Sequence, residues 1–193
     1  MGRPIDQRRP EELLDAIHRY LLDHGLTDLS LRPLAKAVNS SPRGLLYHFG
    51  SKEKMVGQVL AHVRAQQRVS FEQIKESTFS EECWGVWKQM SSPESEPRFR
   101  LFFEVYGLSL RHPQLYQDFL NTTVQDWVSA IADPMEREGC DPGDSRALAT
   151  LVLASLRGFM LDLCATHDHE RLDRAVKLWL ADLDEKLPRK KVE

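Results

Sequence analysis

Cysteine is scarce in this chain: Cys83, Cys140 and Cys164 are odd in number, far apart and without paired spacing. That excludes a disulfide framework and a thiolate zinc finger, and it fits a reducing cytoplasm. The stretch from Gly2 to Pro10 is basic and polar, unlike a signal peptide, and no apolar run reads as approaching membrane-span length. The expectation is therefore a cytoplasmic protein with no membrane partner. Glycine-rich phosphate loops, a Ser-His-Asp signature and a framed pair of carboxylates are missing too. No enzyme class and no cofactor has residue support. No strand pattern or internal repeat interrupts the chain.

What is present is ordinary globular material: 193 residues, 41% apolar and 28% charged, enough for one domain or two small ones around a real core. The net charge of −3 is unevenly spread. Residues 1–54 hold nine Lys/Arg, among them Arg3, Arg8 and Arg9, against seven Asp/Glu, leaving +2 there and −5 on the remaining 139 residues. A mildly basic end on an acidic body suits a nucleic-acid-reading head.

Apolar spacing predicts helices throughout. Pro10, Glu11 and Glu12 open the first, Leu13, Leu14, Ile17 and Leu21 form its stripe, and Gly25 stops it. Ser30 is placed to cap a second helix over Leu31–Val38, and Asn39-Ser40 make a turn. Ser41 is placed to cap a third, with Pro42 first and Leu45 and Phe49 inward. Gly50-Ser51 break into a fourth, expected to run past Gln67 towards Lys75. A polar loop is expected at Ser91–Pro97, helices at Arg98–Arg111 and from His112/Pro113 to Glu138 with a kink at Pro134, and a loop at Gly139–Asp144. Ser145–Thr166 and Glu170–Leu187 are the last helices, before a frayed tail.

A helix, a tight turn and a short second helix suit DNA when the first braces the second in the major groove. Here Ala35, Val38, Leu45 and Phe49 supply the packing, leaving Pro42, Arg43, Gly44, Tyr47 and His48 for the other side. Arg43 can make two parallel hydrogen bonds to a guanine edge. Pro42 and Gly44 are small enough for close backbone approach. Arg32 shares in the basic pattern, and Tyr47, His48 and Lys52 can reach phosphates. Ser30 and Ser41 leave helix N-termini where N–H groups can meet phosphate oxygens. Read without those spacings, residues 10–63 are a small helical bundle with a solvated polar face.

The runs Leu31-Arg-Pro-Leu-Ala-Lys-Ala-Val38, Ser40-Ser41 and Leu45-Leu-Tyr-His-Phe-Gly-Ser-Lys-Glu53 resemble the DNA-binding head of the TetR family of bacterial transcriptional regulators. The strong similarity covers about residues 10–60; beyond it only helix number, length and order match. The resemblance implies an all-α chain. Residues 1–54 would be a three-helix helix-turn-helix head, and residues 55–193 a larger helical domain for effector binding and dimerisation. Many members have Tyr where this chain has Leu46, which implies a phosphate contact absent or replaced by packing. Arg43 stands where Gly is common, implying a distinctive base preference.

The same resemblance implies a small-molecule effector and a homodimer formed through the last two helices. Trp84, Trp87, Phe103, Tyr106, Trp127 and Met160 can line an apolar cavity for the effector or simply fill the core. Leu151, Ser155, Gly158, Phe159, Leu172, Val176 and Trp179 are the residues expected at the dimer seam, where Gly158 permits close approach. His167-Asp168-His169 reads as a solvated turn rather than a metal site, and Arg189-Lys190-Lys191 as a solubilising end. The resulting expectation is a repressor on a palindromic double-stranded operator, released by an apolar or amphipathic molecule. An all-helical ligand carrier is the rival.

Overall fold

The computed structural model describes residues 10–72, 78–137 and 139–186. Among those residues there are nine α-helices, one turn of 3-10 helix and no strand, so the fold is all-α. Helix α1 (Pro10–His24) carries Glu11 and Glu12 in its first turn, buries Leu13, Ile17 and Leu21, and ends at Gly25, whose φ of 67° is the left-handed conformation that glycine tolerates. Helices α2 (Leu31–Ala37) and α3 (Pro42–Phe49) follow. Ser51 then opens α4 (Lys52–Glu72), its Oγ accepting from the Lys54 N–H at 3.1 Å.

Helix α5 (Phe79–Met90) starts with a capping box: Thr78 Oγ1 accepts from the Glu81 N–H at 3.2 Å and Glu81 Oε2 from the Thr78 N–H at 3.0 Å. Next come α6 (Glu96–Arg111), the 3-10 turn Pro113–Leu115, α7 (Gln117–Arg137), α8 (Pro142–Thr166) and α9 (His169–Lys186).

Several boundaries differ from expectation, each for a local reason. Helix α6 begins before Arg98, because the Ser95 carbonyl accepts from Arg98 and Phe99 and Pro97 sits in a first turn that needs no N–H. The 3-10 turn separates His112 from α7, which continues through Pro134. Helix α8 starts at Pro142 rather than Ser145, since Asp141 Oδ1 accepts from the N–H groups of Gly143 (2.8 Å) and Asp144 (3.3 Å). The extension of α4 to Lys75, the tail from Leu187 with Arg189-Lys190-Lys191, and Arg3, Arg8 and Arg9 lie outside the described residues.

One correction concerns hydropathy. A window within α8 has mean hydropathy 1.6, so this helix is long and apolar enough to cross a membrane by length and composition. The sequence reading missed it because the apolar residues are shared between two faces. Val152, Leu156, Met160 and Leu163 are buried, while Leu151 and Leu161 are 45% and 53% exposed.

The chain divides into two compact units. The first holds the described residues up to Gln67 with Leu101–Thr123; the second holds Arg68–Arg100 and the described residues from Val124 onward. In the first, Ile17, Leu21, Leu34, Leu45, Val59 and Val105 form a closed core, with Tyr116 and Phe119 at its margin. In the second, Val128, Ala132 and Ala149 pack together. Also in the second unit, the Trp87 indole N–H donates to Asp173 Oδ1 at 2.7 Å, tying α5 to α9.

Candidate nucleic-acid interface

Helices α2 and α3 are set against each other by a turn that only a few residues can make. Asn39 takes φ 49°, a left-handed conformation that asparagine accepts better than most residues. The Ser40 N–H then donates to the Ala35 carbonyl at 2.7 Å. Ala35, Val38, Leu45 and Phe49 are buried, as their spacing predicts. Ser41, in extended conformation, caps α3 through its Oγ, which accepts from the Gly44 N–H at 3.0 Å. A Cβ on Gly44 would sit 3.1 Å from both the Ser40 and the Ser41 Oγ atoms, so this glycine serves the turn itself.

With the inner face filled, α3 presents Arg43, Leu46, Tyr47 and His48 outward. Tyr47 is 88% exposed and Leu46 40%. The Tyr47 and His48 rings meet edge to face at 5.7 Å, and His48 contacts Phe49 the same way at 6.4 Å. Pro42 is half-buried at the first position of α3. Beside it lies a groove of about 240 Å³, lined by Arg32, Ala35, Lys36, Asn39, Ser40 and Pro42. Lys36, Asn39 and Ser40 went unassigned in the sequence. The available signal was the exposed i,i+4 pair Arg32–Lys36, one turn before Asn39.

Two expected contacts are modified. Ser30 occupies the N-cap position of α2, but its side chain makes no capping hydrogen bond and is exposed. Lys52 is half-buried, with Nζ directed to the Leu29 carbonyl at 3.5 Å, so it braces the loop before α2. Leu46, where a phosphate contact was expected to be absent or replaced by packing, is 40% exposed.

Another contributor was invisible in the sequence. Glu104 on α6 reaches the loop between α1 and α2, where its Oε1 accepts from the N–H groups of Leu26 (2.9 Å) and Thr27 (2.7 Å) and from Thr27 Oγ1 (2.9 Å). Three side chains on α1 and α4 form a second tie: His62 Nε2 lies 2.8 Å from Asp15 Oδ1, and Gln66 Nε2 approaches both. Within α1, Tyr20 stacks on His24 at 4.1 Å.

Of the six residues expected to line a ligand cavity, two lie in the first unit and four in the second. Phe103 and Tyr106 are half-buried in the first unit, and Trp84, Trp87, Trp127 and Met160 belong to the second. Trp87 and Met160 are wholly enclosed, at 0% exposure, and Trp87 also meets Phe159 edge to face at 6.1 Å. Trp84 is flanked by the ammonium groups of Lys177 (5.0 Å) and Lys88 (5.6 Å).

The expected dimer residues also separate. Leu172 and Val176 are buried in the chain's own core at 1% and 0%, which corrects their assignment to a seam: α9 turns Leu178, 75% exposed, outward instead. Trp179 is half-buried against Phe159, at a ring distance of 5.7 Å. On α8, Leu151 and Gly158 are exposed and Ser155 and Phe159 half-buried. The outer face of α8 reads Ala147, Leu151, Ala154, Gly158, Leu161 and Ala165, all exposed and spaced alternately four and three residues apart. Around the last turn, Asp168 pairs with Arg171 and His167 lies 3.7 Å from Glu96.

Residues 13–59 match the family model for bacterial regulatory proteins of the tetR family. Among curated proteins none matches this chain. Among solved structures, a transcriptional regulator from Rhodococcus sp. Rha1 is similar with a TM-score of 0.75 at 16% identity, over 94% of this chain and 100% of that one. A TetR transcriptional regulator from Legionella pneumophila gives 0.68 at 17% identity, over 95% and 100%. BioQ with its natural double-stranded DNA operator gives 0.54 at 20% identity, over 91% and 99%. At such identities the shared property is the fold. The helix-turn-helix lies inside the matched segment, so residues 13–59 are similar to the DNA-binding region of bacterial regulatory proteins of the tetR family.

Proposed function

We propose that this chain is a cytoplasmic homodimeric transcriptional repressor that reads a palindromic operator and releases it when a small apolar or amphipathic molecule binds. The division of labour falls near residue 54, with the preceding head reading DNA and the remainder dimerising and sensing. The observation that carries the reading is the outer face of α3. Arg43, Tyr47 and His48 stand exposed there, next to the cationic pair Arg32 and Lys36, and Ser30 and the α3 cap flank them. Arginine suits a guanine edge; the surrounding cations suit phosphates.

The exposed apolar seam of α8 supports a dimer. A recognition helix of eight residues reads only a short half-site, so two copies related by a twofold axis meet half-sites about one DNA turn apart. Such a seam also accounts for the hydropathy of α8 without a membrane. Effector release would be a population shift: the ligand favours a conformation in which the heads no longer match the half-site spacing, and DNA and effector oppose each other reciprocally.

Selection of bound fragments from genomic DNA at moderate salt tests the DNA reading, with Arg43→Ala as control. Enrichment of a short palindrome, lost with Arg43→Ala, is the expected result. No enrichment by the wild-type protein would refute it. Titrating candidate effectors against the selected operator then tests release, which fails if a ligand saturates the protein without changing operator affinity.

A further inference from the structure

We infer that Leu46 is a base-reading residue of α3, making an apolar contact with the C5-methyl group of a thymine beside a guanine read by Arg43. The inference rests on the operator-binding reading above and extends it to the identity of a base. The inner face of α3 is complete without Leu46: Leu45 is 0% exposed and Phe49 7%. Leu46 is 40% exposed, three residues from the exposed Arg43 and next to the exposed Tyr47 on the outer part of α3. It therefore does not make up for a missing tyrosine by packing inward, and a hydrocarbon side chain cannot replace that tyrosine at a phosphate.

The groove offers such a side chain one favourable partner. Guanine and cytosine edges, and the adenine edge, present hydrogen-bonding groups, and only thymine adds a methyl group to the major-groove surface. Leucine over a guanine or cytosine edge would strip water from those groups and return no hydrogen bond, so the wrong base is penalised as well as the right one favoured. Spacing narrows the position. Three residues along a helix advance about 4.5 Å, and base steps repeat about every 3.4 Å. With Arg43 on a guanine, Leu46 falls one or two base pairs away. Arg43 and Leu46 lie on one face, and Gly44 between them adds no bulk.

The test uses the full-length protein and the operator recovered by selection. Each thymine of one half-site is replaced in turn by deoxyuridine, which removes the methyl and keeps every hydrogen-bonding group. For the wild-type protein, one position within two base pairs of the Arg43-dependent guanine is expected to weaken binding about threefold to fivefold. Leu46→Ala, at an exposed position that leaves the core intact, is expected to bind the thymine and deoxyuridine duplexes equally. If Leu46→Ala keeps the wild-type penalty, or no thymine shows one, Leu46 does not read a methyl group, while the operator reading stands on the Arg43 result. If no operator is selected at all, both readings fall together.

Discussion

Glu104 and Thr27 are joined twice, through the Thr27 N–H at 2.7 Å and its hydroxyl at 2.9 Å, both donating to one carboxylate oxygen. The Leu26 N–H donates to the same oxygen at 2.9 Å. A carboxylate is thus held over the loop that carries the end of α1 into α2, accepting from two of the loop's backbone donors. Glu104→Ala removes charged hydrogen bonds at a partly exposed site, with an expected loss of about 1–2 kcal/mol in urea unfolding. Glu104→Gln keeps an acceptor oxygen in place and is expected to recover most of it. Equal stability of the wild type and Glu104→Ala would show the clamp to be energetically idle.

Gly25 lies under the same carboxylate. Its φ is 67°, and a Cβ there would sit 3.2 Å from Glu104 Oε2. Gly25→Ala therefore combines left-handed backbone strain with crowding of the clamp, and is expected to cost about 1–2 kcal/mol by thermal or urea unfolding. The double variant with Glu104→Ala separates the two effects. Crowding is relieved there and only the backbone cost remains, so the two losses should sum to more than the double variant shows.

These contacts explain which parts of the molecule were legible in the sequence. The α2–α3 unit was readable because its determinants are local: Ser41 caps a helix three residues on, Pro42 fills its first position, and Leu45 and Phe49 repeat at helical spacing. Helix α5 carries an equally local signal, Thr78 with Glu81, the two ends of its capping box. The start of α8 was hidden by Asp141-Pro142-Gly143, residues that read as a loop and in fact cap and open the helix. Glu104 could not be found by any local rule, because its partners are 77 and 78 residues away. Leu172 and Val176 were assigned outward because a helix with apolar residues over more than a third of its circumference does not announce which stripe is the inner one.

Asp15 gives the pH prediction. The hydrogen bond from His62 is the main cause holding its carboxyl below the ordinary carboxylate value, with burial opposing and the charge of His62 and the Gln66 hydrogen bond assisting. The folded-state pKa is depressed, so the resulting stability is present above the unfolded value, about 3.9. It is lost as pH falls through the lowered folded value. The Asp15 side chain is 48% exposed, so solvent screening keeps the contribution small. An NMR titration of the Asp15 carboxyl should give a midpoint below the ordinary value in the wild type and a higher one in His62→Ala. An unmoved midpoint would remove His62 as the cause.

Trp87 is the clearest test of whether an expected ligand contact is a core residue. It is fully buried, and its indole N–H is bound to Asp173, which Lys88 also meets at 3.2 Å. Trp87→Phe keeps most of the ring volume but leaves Asp173 without its shortest donor, at an expected cost of about 1–3 kcal/mol in unfolding free energy. A ligand contact held in an open pocket would behave differently: Trp87→Phe would leave stability unchanged and alter only effector binding.

The α8 seam is the feature on which the proposed dimer depends. Leu161 is 53% exposed and Leu151 45%, and Gly158 between them has nothing within 4 Å of where a Cβ would stand, so none of the three is needed to fold the single chain. In a twofold interface the same positions face their own copies, and small residues at Ala154, Gly158 and Ala165 let the helices approach. Leu161→Glu then buries an unpaired carboxylate from each copy. The expected cost of about 3–5 kcal/mol weakens dimerisation by about two to four orders of magnitude. Leu161→Ala loses only apolar area and is expected to stay dimeric at micromolar concentration. Light scattering after gel filtration reads both masses, and circular dichroism checks that Leu161→Glu remains helical. A folded Leu161→Glu protein that keeps the wild-type dimeric mass would place the interface elsewhere, and a monomeric wild type would end the dimer reading altogether.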